Sequence, residues 1–103
     1  MIDFAFSTGE EIARELGGRL KAQRLSQDMS QAELAARAGI SERTVKNIEN
    51  KGQASLVSLL QVLMALGLSD ELQPLFNLQV KSIAQMEKVA NSTRKRAPRK
   101  FAK

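Results

Sequence analysis

Apolar residues recur every three or four positions through most of residues 8–78, and this spacing predicts a series of short amphipathic helices. A capping box at residues 7–10 predicts the start of the first helix, which should end near Leu25. Ser30, with Glu33 three residues later, predicts the start of a second helix. Ahead of the first helix, Ile2, Phe4 and Phe6 alternate with Asp3 and Ala5. This alternation predicts a short extended arm ahead of an all-α domain.

The residues after position 50 are expected to form two more helices, the fourth and the fifth of the domain. Ser55 predicts the start of a fourth helix that ends at Gly67. Ser69 predicts the start of a fifth, short helix that Pro74 interrupts. The core residues expected on the fourth helix are Leu56, Leu59, Leu60, Leu63 and Met64.

The spacing of small and apolar residues specifies how the second and third helices meet. It lies in residues 31–50, QAELAARAGISERTVKNIEN. Ala35 is small enough to let the helices approach, and Gly39 suits a helix that ends in a left-handed residue. Ser41 can cap the next helix within three residues of that glycine. Val45 and Ile48 then supply apolar contacts on one face. This pattern predicts a DNA-binding helix-turn-helix with a hinge at Gly39.

The opposite face of the third helix is polar and carries the side chains that suit a major groove. Arginine and asparagine can each form two hydrogen bonds with a purine edge, and threonine can contact a base edge or a thymine methyl group. An ordinary amphipathic surface helix also carries mixed charge, and the inner-face spacing favours the DNA-binding interpretation over it. Arg43, Thr44 and Asn47 are the expected base-reading residues, and Ser41, Lys46 and Asn50 are expected to face the phosphate backbone.

This layout resembles the Cro/CI-type, or Xre-type, helix-turn-helix regulators of the lambda-repressor-like group. The likeness extends from about Ile12 to Phe76, and it includes a Ser-Gln-Ala-Glu-Leu-Ala start to the second helix and an Ile-Glu-Asn end to the third. The resemblance implies a five-helix lambda-repressor-like DNA-binding domain over residues 8–78. The arm occupies residues 1–7 and an extension occupies residues 79–103.

The resemblance also implies contacts that the residues alone do not define. Gln31 would brace a DNA phosphate and the recognition helix, and Lys51 would contact phosphates from the loop that follows. The fifth helix would form the dimer interface through Leu72, Leu75 and Phe76. The alternatives are a solvated Gln31 and a fifth helix that only closes the core. The arm can pack on its own domain or pair across the dimer.

Composition narrows the chemistry. The chain has no cysteine and no histidine, so it lacks the usual zinc ligands and the common catalytic base and nucleophile. Together with the absence of a glycine-rich phosphate loop, this argues against an enzyme, and no cofactor or metal is expected. The longest apolar run is far shorter than a membrane span, so a cytoplasmic protein without a membrane partner is expected.

The net charge of +5 is unevenly distributed. Residues 1–78 contain 8 basic and 10 acidic residues, whereas residues 79–103 contain 8 basic and 1 acidic. The extension begins with helical spacing, and a basic tail expected to be disordered follows from Asn91. The tail can strengthen DNA binding, bind an acidic partner protein or only increase solubility. Its expected phosphate contacts are Arg94, Lys95, Arg96, Arg99 and Lys100.

Two functions follow from these observations. The first is a sequence-specific regulator of transcription, a repressor that binds an inverted-repeat operator on double-stranded DNA as a homodimer. The second is an antitoxin that represses its own operon and also binds a toxin protein. The overall layout, a compact Xre-type domain followed by a short tail that contains RKRA, is similar to that of regulators that accompany HipA-type kinase toxins. A kinase-like reading frame beside the gene would favour the second function.

Overall fold

The computed structural model describes residues 2–78 of the chain. Within them the structure contains five α-helices and no strand, which confirms the predicted all-α fold. The helices are α1 (Gly9–Ser26), α2 (Gln31–Ala38), α3 (Glu42–Lys51), α4 (Leu56–Ala65) and α5 (Ser69–Leu72). The chain divides into two compact units, residues 1–73 and residues 74–103, and all five helices belong to the first. The predicted tail helix, the basic tail and its five phosphate contacts lie outside the described residues.

Each of the helices α1 to α4 begins where a side chain accepts a hydrogen bond from a free N–H group of the first turn, whereas α5 starts without a side-chain cap. The predicted capping box of α2 is present, since Ser30 and Glu33 exchange backbone and side-chain hydrogen bonds. For α1 the prediction was one residue too early. The box is formed by Thr8 and Glu11, because these two residues are the pair whose side chains reach each other's backbone N–H.

The N-terminal segment differs from the extended arm that alternation predicted. Phe4–Phe6 forms a single turn of 3-10 helix. The Asp3 carboxylate accepts a hydrogen bond from the Ala5 N–H at 2.9 Å, and the Ser7 hydroxyl donates to the Asp3 carbonyl at 2.7 Å. Local side-chain hydrogen bonds of this kind compete with extended backbone, and here they outweigh the weak preference of three alternating residues.

The core lies between α2, α3 and α4, with one residue from α1 and one from the loop after it. Val62 of α4 and Leu66, the residue that follows α4, are two of its members and are 1% and 3% exposed. The prediction that Leu56 and Met64 belong to the core was wrong, since they are 69% and 62% exposed. The periodicity of α4 is ambiguous because nearly every position is apolar. The buried residues are Leu20, Met29, Leu34, Ala35, Ala38, Val45, Ile48, Val62 and Leu66.

Helix α1 packs against α3 through their backbones. A Cβ atom added at Gly17 would overlap the carbonyl oxygen of Ile48, and one at Gly52 would lie only 2.5 Å from the Ala13 carbonyl carbon. Gly52 also has a left-handed φ of 65°, which glycine adopts without strain. Close packing therefore explains the glycine at position 17. It does not explain Gly18, where an added Cβ would have no neighbour within 4 Å.

Candidate nucleic-acid interface

The connection between α2 and α3 is the tight hinge that the sequence predicts. Gly39 has a left-handed φ of 73°, and the N–H of Ile40 donates to the Ala35 carbonyl at 3.1 Å to close the end of α2. Ser41 then caps α3 by accepting a hydrogen bond from the Thr44 N–H at 3.1 Å. Three residues thus end one helix and begin the next, and α3 is held at a defined angle to α2.

The inner face of α3 anchors the helix in the core. Val45 and Ile48 are 1% and 3% exposed, and they belong to the same apolar cluster as Leu34 of α2. This burial leaves α3 little freedom to rotate about its own axis. The side chains on its outer face are therefore presented in a fixed order.

The outer face of α3 is polar and accessible. Arg43, Lys46 and Asn50 are exposed, and Asn47 is half-buried beside them. Residues seven apart on an α-helix lie within about 20° of each other around the axis, so Arg43 and Asn50 project in nearly the same direction. The side chains of Arg43, Asn47 and Asn50 form no hydrogen bond or ion pair within residues 2–78. Their donors and acceptors are available to a ligand.

Thr44 lies at the edge of this face and is half-buried. Its hydroxyl is 2.8 Å from the Ser41 hydroxyl, and one of the two donates to the other. Each hydroxyl carries one hydrogen, so a single hydroxyl donor of this pair remains for a ligand. Thr44 is therefore less suited than Arg43 or Asn47 to read a base edge by hydrogen bonding, and its methyl group is the better contact.

Lys46 forms an ion pair with Glu42 one turn earlier, at 3.6 Å. Both side chains are about half exposed, and ion pairs of this kind contribute little because water screens them and two long side chains must be ordered. The pair does not hold Lys46 away from an incoming phosphate. It does place one negative charge on the same face.

The backbone N–H groups at the start of the loop after α3 are already hydrogen-bonded to the last turn of the helix. The N–H of Gln53 donates to the Asn47 carbonyl at 3.3 Å, and the N–H of Gly52 donates to the Ile48 carbonyl at 3.0 Å. These N–H groups complete the cap of α3 and are not free for a phosphate. Lys51, the last residue of α3, is exposed.

A buried ion pair joins α1 to the inner side of α3. The Arg24 guanidinium donates two hydrogen bonds to the Glu49 carboxylate, at 2.7 and 3.0 Å, and a third to the Met29 carbonyl at 2.7 Å. The Arg24 and Glu49 side chains are only 7% and 1% exposed. Gln31 completes the group, since its amide nitrogen donates to Glu49 at 3.0 Å.

These contacts determine the charge states of the pair. Burial alone would raise the pKa of Glu49, but the hydrogen bonds from Arg24 and Gln31 and the attraction of Arg24 outweigh it and lower the pKa below its usual value. The hydrogen bond to Glu49 raises the pKa of Arg24, against the opposing effect of burial. Both groups are charged at neutral pH, and each neutralises the other.

The three residues connect the recognition helix to the start of α2. Gln31 does brace α3, as the resemblance implied, and it does so through Glu49. Its amide group has two hydrogens, and Glu49 accepts only one of them. The second hydrogen lies in the first turn of α2, where exposed N–H groups and the helix dipole favour an anion.

Sequence reasoning missed Arg24 and Glu49. The available signal was position: Glu49 lies four residues after the core residue Val45, and Arg24 lies four residues after the core residue Leu20. A charged residue on an inner helix face must find a partner, because an unpaired buried charge is costly. Two opposite charges in such positions predict each other.

The residues expected at a dimer interface are divided between the two units of the chain. Leu72 ends α5 and is half-buried. Leu75 and Phe76 belong to the second unit, where they are 47% and 94% exposed. Residues 2–78 contain no group of acidic side chains that could hold a metal ion. None of the helices they form is both long and apolar enough to cross a membrane.

Comparison with known proteins agrees with this geometry. A family model described as helix-turn-helix, of the Xre or Cro/CI-like type, matches residues 20–73. The match covers slightly more than half of the 103 residues, and it includes α2, the hinge and α3 in full. No curated protein matches the chain.

Proposed function

We propose that this chain, which belongs to the Cro/CI-like helix-turn-helix family of DNA-binding transcriptional regulators, is a cytoplasmic repressor that binds an inverted-repeat operator as a homodimer. The observation that carries the proposal is the outer face of α3. Two side chains there, Arg43 and Asn47, can each bond a purine edge, and neither has a partner among the described residues. A buried inner face holds them in a fixed order, as recognition of successive bases requires.

Base reading is assigned to Arg43, Thr44 and Asn47. Arg43 can donate to guanine O6 and N7 together, and Asn47 can bond adenine N6 and N7. Thr44 contributes its methyl group to a thymine methyl, because its hydroxyl is paired with Ser41. Each good contact of the first two kinds distinguishes the correct base from a wrong one by about 1–3 kcal/mol.

Phosphate contacts surround this face and fix the position of the domain on the duplex. Gln31 and Ser41 lie at the N-terminal ends of α2 and α3, where N–H groups and helix dipoles attract an anion. Contacts of this kind carry no sequence information, but they set the register in which bases are read. The assigned backbone residues are Gln31, Ser41, Lys46, Asn50 and Lys51.

Two recognition helices are needed because a single one reads only a few base pairs. A two-fold homodimer would place them in successive major grooves about one helical turn apart. The operator would then be an inverted repeat that mirrors the symmetry of the protein. Contacts across the dimer are assigned to Leu72, Leu75 and Phe76, on the basis of the family resemblance and the exposure of the last two.

The basic extension would supply general attraction to DNA. Residues 1–78 have two more acidic than basic residues, so long-range attraction from the helical unit alone is weak. Arg94, Lys95, Arg96, Arg99 and Lys100 would each neutralise a phosphate and release a counterion. The α3 face would then provide sequence preference, and the extension would provide salt-sensitive affinity.

Selection of bound sequences from a random duplex pool tests the proposal directly. The full chain is expected to enrich an inverted repeat with half-sites about 10 base pairs apart. Failure to enrich any sequence over several rounds would refute sequence-specific binding. A single, unrepeated half-site would refute the dimeric arrangement while leaving base reading intact.

The antitoxin function remains a second prediction from the sequence, and it requires the same DNA-binding face. It adds a protein partner encoded beside the gene. Co-expression of the chain with a neighbouring kinase-like protein, followed by purification of a tagged partner, tests it. A stable complex with retained operator binding would support the antitoxin function, and the absence of a complex would leave a stand-alone repressor.

A further inference from the structure

Helix α4 carries apolar residues on both its inner and outer faces, and its two polar residues are Ser58 and Gln61. Its inner face carries the core residues Val62 and, just beyond its last residue, Leu66. Its outer face exposes Leu56, Val57 and Met64, with accessible fractions of 69%, 64% and 62%. A helix that is apolar all round is normally covered on all sides. Part of this one is not covered by the rest of the described chain.

The exposed residues form a continuous surface. At about 100° per residue, Val57, Leu60 and Met64 lie within about 60° of one another around the helix axis, and Leu56 borders Leu60. Leu60 is half-buried and links the two ends of the surface. We call Leu56, Val57, Leu60 and Met64 the outer face of α4.

The charge pattern indicates what kind of partner covers this face. No charged residue occurs between Lys51 and Asp70, a run of eighteen residues in a chain that is 26% charged overall. In a two-fold interface a surface meets its own copy, so any charge near the axis faces a like charge. An uncharged apolar surface avoids that repulsion. A different protein partner would more often be selected by complementary charges, which this face lacks.

The spacing of the outer face is also self-complementary. Leu56, Leu60 and Met64 form a ridge of residues four apart, which is the ridge used in the commonest class of helix packing. If two copies of α4 cross antiparallel at Leu60, Val57 of each copy lies opposite Met64 of the other. Both positions are about 5 Å along the axis from the crossing point, within reach of contact.

We propose that the outer face of α4 packs against the same face of a second copy of the chain, and that this contact is the principal interface of the homodimer. The inference rests on the proposed function, since an inverted-repeat operator requires a two-fold dimer. It moves the centre of the interface from the three residues suggested by resemblance to α4. It also specifies that Val57 of one copy pairs with Met64 of the other, and this pairing can be tested by introducing opposite charges at the two positions.

Two single variants test the pairing, V57E and M64K. Both suit the helix, because a negative charge is favourable in its first turn and a positive charge in its last, so folding should be retained. Each variant alone is expected to weaken self-association by about 100-fold or more, because the interface repeats every unfavourable contact twice. An equimolar mixture of V57E and M64K should form a heterodimer. In it the new negative charge at position 57 of one chain faces the new positive charge at position 64 of the other. The second contact of the interface remains the wild-type pair of Val57 and Met64. Sedimentation velocity of the full chain measures all three states.

The control is L25E, which makes the same kind of change at an exposed residue of α1. Leu25 is 54% exposed, and its substitution is expected to leave self-association unchanged. Dimers that persist in V57E, or a mixture that stays monomeric, would overturn the α4 interface. A wild-type chain that sediments as a monomer would overturn it as well. DNA binding is scored separately on a single half-site, where V57E should match the wild type, so failure of base recognition is distinguished from failure of the interface.

Discussion

Replacing Glu49 by alanine should destabilise the domain more than any exposed charge substitution. In the native structure the Glu49 carboxylate accepts two hydrogen bonds from Arg24 and one from Gln31. Glu49→Ala would leave the Arg24 guanidinium buried, with its bond to the Met29 carbonyl as the remaining contact. The cost arises from the uncompensated buried charge rather than from the missing side chain.

The expected loss is about 3–5 kcal/mol of unfolding free energy, the usual cost of removing one partner from a buried pair. Small domains have only about 5–15 kcal/mol in total. At about 4–8 °C per kcal/mol for a domain of this size, the melting temperature should fall by roughly 12 °C or more. Glu15→Ala serves as control, because the exposed Glu15–Arg19 pair at 2.9 Å is worth at most about 1 kcal/mol.

Urea titration followed by circular dichroism at the helix band measures both variants. A third variant, Arg24→Met combined with Glu49→Leu, removes both charges together. It should be more stable than Glu49→Ala, since no charge is left unpaired. A loss below about 1 kcal/mol for Glu49→Ala would refute the account, as would a double variant less stable than the single one.

The pair also predicts a pH dependence. The pKa of Glu49 is lower in the folded chain than its usual value of 4.5, so the folded state binds this proton less readily than the unfolded state. The resulting stabilisation is fully present above 4.5 and is lost as the pH falls through the lower folded pKa. The difference in stability between the wild type and Glu49→Gln should therefore shrink below pH 4.5, and a constant difference would contradict this assignment.

Three further predictions concern packing and DNA binding. Gly17→Ala should lower the free energy of unfolding by about 1–3 kcal/mol, because the new Cβ atom would overlap a carbonyl oxygen of α3. Gly18→Ala should raise it by up to about 1 kcal/mol, and equal effects of the two variants in thermal melts would disprove the close approach of the two backbones. Arg43→Ala should weaken operator binding by about 1–3 kcal/mol without changing the melting temperature, with Arg19→Ala as the matched control, and unchanged affinity in a titration would remove Arg43 from the base-reading set. Deletion of residues 91–103 should lower affinity for all duplexes. It should also reduce the slope of log K against log salt concentration by about 0.9 for each phosphate that the tail no longer neutralises. An unchanged slope would show that the tail does not contact DNA.

The helix-turn-helix could be predicted from sequence because local rules specify it. Gly39, Ser41 and the Ser30 capping box each act through neighbours within four residues, and each is present in the structure. The N-terminal turn was missed because its hydrogen bonds from Asp3 and Ser7 override a short alternating pattern. Local signals were reliable where several agreed and weak where one stood alone.

The parts that could not be predicted depend on contacts between distant segments. Arg24 and Glu49 are 25 residues apart, and their spacing from Leu20 and Val45 indicates a buried pair only once the inner faces of α1 and α3 are known. The burial of Val62 rather than Met64 was also undetermined, because eight of the ten residues of α4 are apolar and their periodicity does not identify the inner face. Both outcomes depend on how the helices are arranged in space.

The two backbone contacts between α1 and α3 have a consequence for engineering. Gly17 meets Ile48, and Gly52 meets Ala13, so the contacts lie one turn apart on each helix. The Gly17 contact is with backbone atoms of Ile48 and Glu49, and the Gly52 contact is with the backbone and the Cβ atom of Ala13, so neither involves a long side chain that could repack. We therefore expect that Arg43 and Asn50, which are exposed on the opposite side of α3, can be replaced without changing how the helix packs against α1. The base specificity of α3 is then open to redesign while its packing against α1 is unchanged.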